Sequence, residues 1–276
     1  MRESKWITAV RHVVLLLFVA IAVYPALNVL SISLRPENRL RSTDLSIIPD
    51  NWTLQSYVEL FTEQPFLRWL GNSLLVATMV TLTGVALASI GGYAFSRFQF
   101  VGRRSMMLAI LTTQMFPATM LLLPLYILMA KLNLVNTYLG LMVFYTSTAL
   151  PFCVWQMKGF YDTIPPSLEE AARIDGCGQL DAFWRVVLPL AVPGLVITAL
   201  FSFMAAWSEY IVAAQVMQDE DLFTLPLGIK SFQSSLSTQW GLYAAASILV
   251  SVPVVVVFLM LSKFLVSGLT LGSVKE

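Results

Sequence analysis

Charge is what this sequence has least of. Only 12% of its 276 residues are Asp, Glu, Lys or Arg, while 57% are apolar, and a mean hydropathy of +0.75 excludes an ordinary soluble domain. Histidine occurs once, as His12 beside Arg11 at the head of the first apolar run, which reads as an interfacial residue rather than a ligand. The two cysteines, Cys153 and Cys177, have no ligand spacing, so neither a metal site nor a disulfide is implied; they are expected to face lipid and cytosol. There is no GxxxxGK[ST] run, so this chain cannot cradle nucleotide phosphates in a P-loop. No Ser/His/Asp set, Cys/His cluster or intramembrane carboxylate pair suggests hydrolysis, and a net charge of +1 gives no basis for a nucleic-acid partner.

Long apolar stretches are what the sequence has instead. Six of them, near 13–34, 74–95, 106–128, 138–155, 188–214 and 242–265, fit the roughly 20 helical residues that cross about 30 Å of hydrocarbon. Backbone groups in lipid must be satisfied internally, and continuous runs exclude the alternation of a barrel. An all-α integral membrane protein with six transmembrane helices in one domain, 1–276, is therefore expected. The first run continues to about Leu34, too long for a signal-peptide core, and is read as an uncleaved helix. If the N-terminus is cytoplasmic, eleven of the 17 Lys and Arg residues fall on that side, which favours both termini inside. Between the first two runs, Leu54, Tyr57, Val58, Leu60 and Phe61 form an amphipathic pattern, and Trp52, Tyr57 and Trp69 are expected at headgroup level.

Gly84, Ala88, Ser89, Gly91 and Gly92 lie at helical spacing in the second run and let another helix approach closely. Pro117, Pro124, Pro151, Pro193 and Pro253 interrupt later runs, as in bundles with a central pathway. Glu209, in Trp207-Ser208-Glu209 of the fifth run, is the clear intramembrane carboxylate; it is either a pathway residue or an interfacial group satisfied by a neighbouring helix.

The longest polar island is 165–189, PPSLEEAARIDGCGQLDAFWRVVLP. Ser167 with Glu170 has the spacing of a capping box, and Gly176 supplies a left-handed stop two turns later. A second helix is expected over 179–187. Glu169, Glu170, Arg173, Asp175 and Arg185 would then point at water or a partner.

Glu170-Ala171-Ala172, Gly176 and Leu188-Pro189 resemble the EAA loop of bacterial ABC importer permeases. The second run and its GYAFSRF…GRR exit are similar to those of sugar permeases, and the last ten residues resemble the tail of maltose-type permeases. The resemblance implies the type I ABC importer transmembrane domain, acting as the second permease subunit of a carbohydrate importer in the bacterial inner membrane. Its substrate would be maltose, maltodextrin, trehalose or another α-linked oligosaccharide. It further implies a heterodimer with another permease, two copies of an ATPase subunit that bind ATP and Mg, an external sugar-binding protein and surrounding lipid. Ser167, Glu169, Glu170, Ala171, Ala172, Asp175 and Gly176 would couple to the ATPase. Gly268, Leu271, Gly272 and Val274 would reach it through the tail, while Trp207, Ser208 and Glu209 would border the pathway. No catalytic residue, metal or cofactor of its own is expected. An ion-coupled carrier, or a membrane-assembly subunit without transport activity, is the alternative. The former would want repeated halves and buried acidic relays, and neither is evident.

Overall fold

In the computed structural model, residues 5–36, 40, 48–233 and 238–271 are described, without the side chains of Ala118 and of 265–271. The elements in chain order are α1 (Lys5–Ser33), α2 (Gln55–Thr62), α3 (Phe66–Arg97), α4 (Arg103–Thr113), α5 (Ala118–Lys131) and α6 (Tyr138–Asp162). They continue with α7 (Ser167–Ile174), α8 (Gln179–Leu190), α9 (Val192–Trp207), α10 (Ile211–Val216), α11 (Leu225–Ser231) and α12 (Trp240–Leu271). No strand occurs among the described residues. The helices α1, α3, α6 and α12 are each long and apolar enough to cross a membrane, and α8 with α9 would make a fifth span.

The chain divides into two compact units, 1–67 with 228–252, and 68–227 with 253–276. In the first, the most apolar stretch of α1 has no buried residue at all. So much apolar surface without a protein neighbour is stable only against lipid or another chain. The end of α1 is fixed by polar groups: Ser33 Oγ lies 2.8 Å from the Tyr57 hydroxyl of α2, and Thr53 N donates to Leu34 O at 2.9 Å.

The second unit has its core where α3, α6 and α8 meet, around Ala88, Tyr93, Cys153, Met157, Tyr161 and Phe183. Its small residues explain the close approach: a Cβ added at Gly92 would lie 2.7 Å from Met157 Cβ and 2.9 Å from Lys158 N, so only glycine lets α6 pass there. Polar side chains bridge the helices, Ser89 Oγ with the Tyr161 hydroxyl at 2.9 Å and Cys153 Sγ with Ser202 Oγ at 3.3 Å. Cys153 is therefore buried rather than turned to lipid. Trp69 is likewise fully buried in the protein rather than turned to lipid, and its Nε1 donates to Glu220 O at 3.1 Å.

Two of the apolar runs are not continuous helices. The third is interrupted between Thr113 and Ala118, where Pro117, with no N–H to donate, stands at ψ 126° outside helical conformation as the N-cap of α5. In the fifth, α8 and α9 meet at Ala191 with a bend of 75°, just before Pro193, and α9 ends at Trp207. Helix α8 itself contains a π-turn, Phe183–Val187. The helix of the last run continues to Leu271, so Gly268 stands in helix. The side chain of Leu271, and Gly272 and Val274 altogether, lie outside the described residues.

A buried ion pair seats the candidate coupling loop

The polar island folds as two helices, and its first one starts differently from the capping box. Pro166 is the N-cap and Ser167 makes no capping hydrogen bond; the Pro166 carbonyl instead accepts from Glu169 N and Glu170 N at 3.0 and 3.1 Å. The proline's preset φ of −59° already matches a helical entry, which leaves the serine hydroxyl no role. The C-terminal stop is a complete Schellman motif. Cys177 N donates to Ala172 O at 3.0 Å and Gly176 N to Arg173 O at 3.1 Å, with Gly176 at φ +91°.

Helix α7 has a narrow inner face, and Glu169 and Ala172 are its buried residues. Glu169 is thus not free for a partner. Its carboxylate is ion-paired with Arg97 Nε at the end of α3 and accepts from the Tyr93 hydroxyl at 2.8 Å. Both side chains of the pair are only about a tenth exposed, at 11% and 12%. Arg97 also donates to the Ile164 carbonyl at 2.8 Å and to Ser96 Oγ at 3.2 Å. Ser96 Oγ donates to Asp162 Oδ1 at 2.6 Å, and Asp162 pairs with Lys158 at 2.5 Å. A continuous polar chain therefore fastens the last turns of α3 and α6 to α7.

The outer face carries the rest. Glu170, Ala171, Arg173 and Asp175 are exposed, and so are the apolar side chains of Ile174 (87%), Leu180 (75%) and Trp184 (60%). Of the two alanines, only Ala171 faces outward. Arg185 is exposed and 3.4 Å from Asp181, one turn away.

Glu209 sits elsewhere, in the break between α9 and α10. Its carboxylate accepts from Val212 N and Ala213 N at 2.8 and 3.2 Å and from the Tyr145 hydroxyl at 2.7 Å. It is satisfied by a neighbouring helix and by the backbone it caps. Trp207 is buried and stacked on Phe203, while Ser208 is exposed. Sequence reasoning missed the Arg97–Glu169 pair, although Glu169 and Ala172, three apart, share a helix face.

Comparison with known proteins gives this arrangement a family. Residues 81–269 match the model of the binding-protein-dependent transport system inner membrane component. The chain belongs to that family. It is similar, at 37% identity over 99% of this chain and 98% of the relative, to the maltose/maltodextrin transport system permease protein MalG of Salmonella typhimurium. At 35% identity, covering 96% and 95%, it is similar to the maltodextrin transport system permease protein MdxG of Bacillus subtilis. A crystal structure of a bacterial ABC transporter involved in the import of the acidic polysaccharide alginate has a chain of the same fold, with a TM-score of 0.82, 23% identity and coverage of 95% and 99%. The permease is thus an all-α, multi-pass membrane protein of the ABC importer fold.

Proposed function

We propose that the permease is one of two membrane subunits of an ATP-driven carbohydrate importer, and that α7 and α8 form the helix pair an ATPase subunit grips. The observation that carries this reading is the two-faced seating of α7. Its inner face is fixed by the buried Glu169–Arg97 pair, while Glu170, Ala171, Ile174, Leu180 and Trp184 stand free for a partner. A permease without nucleotide-binding residues needs such a handle, because force from ATP hydrolysis must enter through a rigid contact.

Motion of α7 would pass through Arg97 to α3 and through Asp162 to α6, and the breaks at Pro117 and Ala191 are where helices would pivot between inward and outward access. A six-span arrangement requires α4 and α5 to cross as one broken span. The sugar class follows from the similarity to maltose and maltodextrin permeases, and trehalose is a further substrate to try. The family's description supports an external binding protein as the donor of sugar. A second permease and two ATPase copies complete the assembly, and the tail residues Gly268, Leu271, Gly272 and Val274 would add a second contact to the ATPase. Asymmetry of Lys and Arg supports cytoplasmic termini in the inner membrane. Native Cys177 tests this: an impermeant thiol reagent should label it only after the cells are opened.

The deciding experiment is to co-purify the complex, reconstitute it in vesicles with the binding protein, and measure ATPase activity with maltose, maltotriose and trehalose. Stimulation by one of these sugars supports the reading; ATPase activity indifferent to all sugars, with uptake driven by an ion gradient, overturns it.

A further inference from the structure

The exit of α3 and the first turns of α4 enclose, with α6, an open groove of about 570 Å³, within the roughly 300–1,000 Å³ of small-molecule sites. Its walls combine Phe95, Phe100 and Met107 with the cations of Arg103, Arg104 and Lys158. The facing groups leave a positive excess. Lys158 is paired with Asp162, whose carboxylate also accepts from Ser96; Arg103 makes one long bond, 3.4 Å, to Ser96 O; Arg104 is exposed and has no partner among the described residues. The adjoining turn is apolar and open, with Phe98 at 41%, Phe100 at 40% and Val101 fully exposed.

Depth decides what this groove meets. The apolar length of α3 ends at Arg97 and that of α6 at Asp162, so the three cations stand where spanning helices leave hydrocarbon, at headgroup level. An exposed apolar turn beside that layer can bury its side chains only by dipping back towards acyl chains, and basic pockets beside spanning helices take anionic headgroups. We propose that the groove binds one anionic phospholipid, its phosphate diester held by Arg103, Arg104 and Lys158 and an acyl chain lying along Phe100 and Met107. The leaflet follows from the orientation proposed above, whereas binding itself depends on neither ATPase nor sugar. A lipid held here borders the Lys158–Asp162–Ser96–Arg97 chain that seats α7, and so can tune how firmly the loop is held.

The test uses the full-length permease in detergent micelles, with native mass spectrometry of lipid adducts. Dioleoyl phosphatidylglycerol is titrated against dioleoyl phosphatidylcholine, and inorganic phosphate serves as competitor. One tightly retained phosphatidylglycerol per chain is expected, with no such phosphatidylcholine adduct and no displacement by millimolar phosphate. Each arginine near an anionic headgroup contributes about fivefold in affinity, so Arg103→Gln with Arg104→Gln should weaken retention about 25-fold. If that double variant does not fold, Arg104→Gln alone, which breaks no hydrogen bond or ion pair among the described residues, should weaken it about fivefold. Equal retention of both lipids, undiminished retention in the arginine variants, or displacement by phosphate would each overturn the proposal, the last by making the groove a site for free anions.

Discussion

Glu169 and Glu170 are neighbours in the sequence and opposites in the structure. One lies on the inner face of α7, closed over by Arg97 and Tyr93; the other stands on the outer face with no ion-pair partner among the described residues. A helix turns about 100° per residue, so adjacent side chains of equal charge can serve unrelated purposes. The inner carboxylate holds the loop, and the outer one is left for recognition.

That contrast predicts a graded series of effects, read as hydrogen exchange of the Asp175, Gly176 and Cys177 amides that close α7. The largest belongs to Glu169→Gln, which leaves the buried Arg97 uncompensated and should cost about 3 kcal/mol, raising exchange more than about a hundredfold. Adding Arg97→Gln should recover most of the loss, since removing both charges is milder than removing one. An equally severe double variant would mean that Arg97 matters through its bonds to Ile164 and Ser96 instead. Tyr93→Phe removes one hydrogen bond to a charged acceptor and should cost about 2 kcal/mol.

Next comes Gly176→Ala. The residue must keep φ near +91°, and nothing lies within 4 Å of an added Cβ, so the penalty is backbone strain alone, about 1 kcal/mol. Glu170→Lys closes the series, with an exchange change within about 0.5 kcal/mol, as for exposed positions elsewhere.

Much of this was legible beforehand, for reasons tied to particular residues. Four long spans follow from continuous apolar runs, and the end of α7 from Gly176, because hydropathy and left-handed glycines are local properties. The break at Pro117 was half visible, since the proline was plain but not whether a neighbour would bridge it. What escaped was pairing across distance. Glu169 meets Arg97 across 72 positions and Cys153 meets Ser202 across 49, and no local pattern announces either partner. The role of Glu209 was open partly for the same reason: the Val212 and Ala213 amides it caps are local, but Tyr145 reaches it across 64 positions.

The central claim is that the outer face of α7 recognises the ATPase while the inner face only positions it. The measurement that tests it most directly is Glu170→Lys in the complete reconstituted importer, following maltose uptake alongside exchange of the α7 amides. The account predicts uptake abolished with exchange unchanged. Uptake at the normal rate would contradict it, since the outer face would then carry no coupling contact at Glu170.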